Sequence, residues 1–163
     1  MMDVTTAYRR AYARIGNLTP IPADCGSLCG KRCCKGDDNV GMILFPGEDV
    51  PLTQFSVTDE EINGFPVRFA VCPGRCQRKN RPLSCRIFPF APYLDAEGEL
   101  SIIPDPRAKY ICPLLDTQAL QMIDPRFLRA AEDAFTVLLE VDGVRPMLEA
   151  YSKMLDDYKR FTD

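Results

Sequence analysis

Between residues 3 and 16, Val4, Ala7, Tyr8, Ala11, Tyr12 and Ile15 recur three or four positions apart, with Arg9, Arg10 and Arg14 between them. That period predicts an amphipathic helix whose apolar stripe lies on a core and whose basic face is solvated. Pro20 and Pro22 end the pattern. The texture then changes to short apolar, β-branched and aromatic runs, VGMILFPGEDVPL and FPVRFAV, bounded by glycine and proline, which read as strands. Between them TDEEING reads as one helical turn, capped by Thr58 or Asp59 and ended at Gly64. In YLDAEGELSII an Asp-Ala-Glu-Gly turn separates two apolar arms, a hairpin pattern.

From Asp116 the spacing is helical again. Leu120 and Ile123 come first, then Asp124 and Pro125 as cap and first position of a helix running to about Val141. Asp142 and Gly143 break it. A last helix over roughly residues 145 to 160 sets Leu148, Tyr151, Leu155 and Tyr158 on one core-facing side. The expected class is α+β: a loop-rich, cysteine-bearing middle with a little antiparallel sheet, held between an N-terminal helix and a C-terminal helical pair. At 163 residues the chain is expected to form one domain, with a cysteine-cluster region over 25–113 and a helical part over 116–163.

Composition narrows the function only slightly. An apolar share of 46%, a charged share of 26% and a net charge of −3 give no general attraction to nucleic acid or anionic lipid. The opening MMDVTTAYRRAYARIG lacks the apolar stretch of a secretory signal, and no segment approaches the roughly 20 apolar residues that span a bilayer. A cytoplasmic location is the resulting expectation. Thiols stay reduced there, so the eight cysteines read as metal ligands or redox groups in preference to a disulfide framework.

Their spacing carries the chemistry. Cys25, Cys29, Cys33 and Cys34 form C-x3-C-x3-C-C; Cys72, Cys76 and Cys85 form C-x3-C-x8-C; Cys112 follows alone in YICPLL. With no histidine in the chain, this all-sulfur set suits zinc in a four-thiolate tetrahedron or a [4Fe–4S] cluster, and disfavours magnesium, calcium and manganese, which want oxygen. Eight thiols would fill two four-coordinate sites. Neighbouring side chains diverge, so Cys33 and Cys34 either serve different centres or include one plain buried thiol. Gly26, Gly30, Gly36, Pro73, Gly74 and Pro113 permit tight turns that aim backbone N–H groups at sulfur. Lys31, Arg32, Lys35, Arg75, Arg78, Lys79, Arg81 and Arg86 crowd the same segments, where cations lower the cost of holding thiolates.

RCQRKNRPLSCR also has the look of a basic loop in a nucleic-acid-binding zinc ribbon. Only Phe88 and Phe90 follow it, and packing against the cysteine loop explains them as well as base stacking does. Catalysis through Ser-His-Asp, Cys-His or His-ligated zinc is excluded by the missing histidine. Asp24, Asp37, Asp38 and Glu48 lie near the cysteines and read as solvating surface carboxylates. No phosphate loop or dinucleotide fingerprint appears, so no catalytic residue is assigned. A protein partner is compatible with such a module; a membrane is not expected.

The stretch RPLSCRIFPF, residues 81 to 90, follows paired cysteines and an upstream cluster ending in Cys-Cys. Together they resemble the YkgJ-type cysteine-cluster family, described as zinc- or iron-chelating domains with eight cysteines as the hallmark. The likeness covers roughly residues 25 to 113, with its Arg-Pro, Cys-Arg and Phe-Pro elements on Arg81, Pro82, Cys85, Arg86, Phe88 and Pro89. The family's first cluster is usually spaced C-x2-C-x2-C-C, whereas both gaps here are three residues. The resemblance implies chelation and no particular reaction, although a similar cysteine region occurs in flagellin lysine methylases.

Overall fold

A computed structural model of the chain describes residues 2–23, 41–75 and 77–162. Its first element is helix α1, Val4–Ile15, capped by Asp3, whose carboxylate accepts from the Thr6 N–H at 3.0 Å. Ala7, Tyr8, Ala11 and Ile15 are buried as the period predicts, and Gly16 closes the helix at a positive φ of 52°. Val4, one turn out from the core, is exposed.

Three strands follow: β1 (Gly41–Leu44), β2 (Ser56–Ile62) and β3 (Phe65–Val71), antiparallel and ordered β1-β3-β2. The helical turn expected over TDEEING is a strand instead. Asn63 and Gly64 both take positive φ, 48° and 83°, and join β2 to β3 with Ile62 opposite Phe65. Two left-handed residues in a two-residue loop supply the twist a hairpin needs, so the Asn-Gly pair overrides the weak capping signal of Thr58 and Asp59. Edge strand β2 is mostly exposed and charged, so it lacks the apolar alternation by which strands are recognised. At Gly41 an added Cβ would stand 2.1 Å from the Ala70 carbonyl oxygen, which reserves the start of β1 for glycine.

The second sheet is the expected hairpin, β4 (Phe90–Leu94) and β5 (Leu100–Pro104). Its turn is closed by Asp95, which accepts from Glu97 N–H at 3.0 Å and Glu99 N–H at 2.8 Å, with Gly98 at φ 82°. Among the described residues four more helices complete the α+β architecture: α2 (Leu83–Ile87), α3 (Thr117–Leu120), α4 (Pro125–Leu138) and α5 (Val144–Thr162). Asp124 caps α4 with Pro125 at its first position, as read from the sequence.

One hydrophobic cluster joins these layers. It runs from α1 through Ile43, Phe45, Val67, Leu83 and Phe90 to Phe127, Phe135, Leu148 and Leu155, so the strand-bearing middle and the C-terminal helices share a core. Phe45 stacks edge-on against Phe135 with ring centres 5.0 Å apart. Phe90 packs on Phe127 of α4. One expectation is corrected here: Tyr158 stands about half exposed, because the buried stripe of α5 ends at Leu155. Among the described residues no helix is long and apolar enough to cross a membrane.

Candidate metal centre

Three of the eight cysteines belong to described segments, all half-buried. Cys72 follows the last residue of β3, Cys85 lies in α2, and Cys112 precedes the 3-10 turn Pro113–Leu115. Cys25, Cys29, Cys33, Cys34 and Cys76 lie outside the described residues, as do Asp24, Asp37, Asp38, Lys31, Arg32 and Lys35. Among the described residues no group of three or more cysteine or carboxylate side chains is placed to hold a metal. Three thiols are in any case one short of a four-sulfur tetrahedron.

The fold nevertheless gathers the flanks of these segments. Val71, just before Cys72, is the register partner of Gly41, the first residue after positions 24–40. Ser84, just before Cys85, donates its hydroxyl to the Ile43 carbonyl of β1 at 3.0 Å. Arg78, two residues after Cys76, donates to the Leu18 carbonyl at 2.7 Å, which ties that loop to the stretch leading toward Cys25. Arg86 donates to the carbonyls of Arg81 at 3.1 Å and Lys79 at 3.0 Å, fastening the loop between Cys76 and Cys85 onto α2. Cys112 enters from a different stretch, the turn after β5, where its N–H donates to the Ala108 carbonyl at 2.9 Å and its side chain packs on the main core.

Beneath α2 lies a residue that sequence reasoning misplaced. Glu48, read as a solvating carboxylate, is completely buried. Its Oε1 accepts from the Tyr12 hydroxyl and from the Leu83 N–H, both at 2.8 Å, and its Oε2 accepts from the Phe45 N–H at 3.0 Å. One carboxylate therefore pins α1, the turn after β1 and the first N–H of α2 to a common point. Burial pushes the Glu48 pKa up, opposed by the N–H groups of Leu83 and Phe45 and by the Tyr12 hydroxyl. Burial followed by the neighbouring Glu48 charge raises Tyr12, so its hydroxyl stays a donor. Arg86 covers the Tyr12 ring at 4.7 Å, joining the clamp to the cysteine loop. No local signal marked it, because in LFPGEDV Glu48 stands next to a second carboxylate, Asp49.

A second polar centre was also missed. Asp105, almost fully buried, accepts from Arg107 Nε at 3.0 Å and Nη2 at 2.7 Å, and Nη2 reaches the Tyr151 hydroxyl at 2.6 Å. Burial holds the Tyr151 pKa up at about 12, with the Arg107 charge pulling the other way. Desolvation acts to lower Arg107, but Tyr151 and Asp105 outweigh it and the net direction is upward. The signal for this cap was the Asp-Pro pair of residues 105 and 106, the same pair that opens α4.

No family model, no curated protein and no solved structure matches this chain. The likeness to the cysteine-cluster family therefore stands on the residues that carry it.

Proposed function

We propose that this protein is a YkgJ-type metal-binding module in which thiolates drawn from Cys25, Cys29, Cys33, Cys34, Cys72, Cys76, Cys85 and Cys112 chelate zinc. Its setting is the reducing cytoplasm, and its helices are scaffold for a single domain. The observation that carries this reading is the convergence of cysteine-flanking segments. Gly41 faces Val71, Ser84 is fastened to β1, and Arg78 is fastened to Leu18. Segments far apart in sequence can donate to one ion only if the fold brings their ends together, and hydrogen bonds outside the thiols already do so here. A donor set without imidazole fits zinc, and a four-thiolate zinc unit carries a formal charge of −2 that nearby arginines offset.

The same donor chemistry suits a [4Fe–4S] cluster, which would make the chain a redox or enzyme accessory module. Nucleic-acid binding draws less support, because Phe90 is buried against Phe127 and unavailable to a base. The deciding experiment is elemental analysis per chain on protein prepared with and without oxygen, repeated on Cys72→Ser and Cys85→Ser. Zinc at one or two equivalents, reduced in both variants, is expected. Iron with acid-labile sulfide and visible absorption would replace zinc by the cluster. Protein that folds with no bound metal under either preparation would overturn chelation altogether.

A further inference from the structure

The two edges of the three-stranded sheet are finished differently. At β1 the Ser84 hydroxyl of α2 donates to the Ile43 carbonyl at 3.0 Å, and Leu44 is buried. At β2 residues 58–61 are exposed throughout.

The Asn63–Gly64 turn fixes which backbone groups of β2 face outward. In a two-residue hairpin the closing pair, here Ile62 and Phe65, exchanges both hydrogen bonds, and bonded pairs then alternate along the strands. Ile62, Glu60, Thr58 and Ser56 therefore direct their N–H and C=O groups at β3. Val57, Asp59 and Glu61 point theirs away from it, and among the described residues no other strand or backbone group meets them.

The side chains of this edge are anionic. Asp59 and Glu61 stand on one face of the strand and Glu60 on the other. None of the three makes an ion pair among the described residues, and Arg68, the register partner of Asp59, donates to the Glu48 carbonyl. Those carboxylates decide what pairs with the edge. A second copy's β2 would set carboxylate against carboxylate, and an apolar strand would strip water from all three without supplying a counter-charge. A strand with Lys or Arg at three consecutive positions supplies a cation on each face, in register with the anion beside it.

We propose that the β2 edge takes up an extended basic segment of a partner protein as a fourth strand, hydrogen-bonded to Val57, Asp59 and Glu61 and charge-matched to Asp59, Glu60 and Glu61. Main-chain bonds hold the segment, and the carboxylates select it. The site goes beyond chelation and uses no thiol.

The test titrates the full chain with the peptide acetyl-Thr-Val-Lys-Arg-Lys-Val-Thr-amide, by calorimetry and by amide hydrogen exchange. Saturable one-to-one binding is expected, with exchange slowed at Val57, Asp59 and Glu61. Glutamate in place of the three cations should weaken it about tenfold. N-methylation of alternate peptide residues should abolish binding in one phase and spare it in the other, since only every second N–H of an added strand faces β2. Asp59→Asn should weaken the peptide about threefold, and Asp59→Pro, which removes an outward N–H and leaves the bonds to β3 in place, about tenfold or more. Equal binding of the two N-methylated phases would reduce the edge to an acidic patch and overturn strand addition. Absence of saturable binding by folded protein would overturn it as well.

Discussion

The tripeptide Asp-Pro-Arg occurs twice, at residues 105–107 and 124–126, and its local geometry is the same both times. Each aspartate caps a helical turn by accepting from the N–H two residues on, at 2.9 Å in both, and each arginine folds back onto its own aspartate. The surroundings differ. Asp105 is 2% exposed and Arg107 also bonds Tyr151, whereas Arg126 is 68% exposed and leans into solvent. Proline at the first helical position and a capping carboxylate are local properties; whether the ion pair is a tertiary cross-link depends on what folds over it. In the first copy α5 does so. In the second, Arg126 stands 68% exposed and the pair ends at the surface.

That contrast can be broken most sharply at Arg107. Arg107→Ala leaves Asp105 buried without its cation and is expected to cost about 3–5 kcal/mol in chemical denaturation; a loss under 1 kcal/mol would show that Asp105 is adequately solvated. Glu48 supplies a buried carboxylate whose hydrogen-bond donors are neutral, with the nearby Arg68 charge favouring the ionised form as well. Glu48→Ala strands the buried N–H groups of Leu83 and Phe45 and is expected to cost about 2–6 kcal/mol, at roughly 1–3 per unsatisfied group. The pH dependence has a definite sign. The folded pKa of Glu48 lies above the ordinary 4.5, so the folded form holds the proton more tightly. Its contribution to stability is present below pH 4.5 and is lost as pH rises through the raised folded value. Denaturation midpoints measured from pH 4 to 8 should fall more for the native chain than for Glu48→Gln, and parallel curves would refute the assignment.

A smaller effect, about 1 kcal/mol, is expected for Tyr151→Phe, which removes one acceptor from Arg107 and keeps the ring packed near Phe45. Smallest is Arg126→Ala, for which little or no shift of the denaturation midpoint is expected, because the Arg126 end of the pair is exposed and its charge is screened by solvent. A shift comparable to that of Arg107→Ala would erase the distinction between the two copies.

Much of this architecture could be read along the chain. The helical stripe of α1, the Asp124 cap and the β4–β5 turn each depend on residues within a few positions of one another, and local hydrogen bonds decide them. Strand β2 departs from the expected helical turn for a local reason too: its charged edge carries no apolar alternation, and Gly64, with Asn63, specifies a hairpin in place of a helix stop. Glu48 and Asp105 could not be placed this way. Each is a carboxylate beside a turn, indistinguishable in sequence from solvated neighbours, and its burial comes from elements dozens of residues away.

The sequence by itself determined the chemistry on offer: eight thiols, no imidazole, and basic residues among them, a donor set that only soft ions satisfy. Only the tertiary structure decided which of those segments meet. Gly41 is set opposite Val71, Ser84 against β1, and Arg107 beneath α5, because strand pairing and core packing act between residues whose separation along the chain holds no record of the contact.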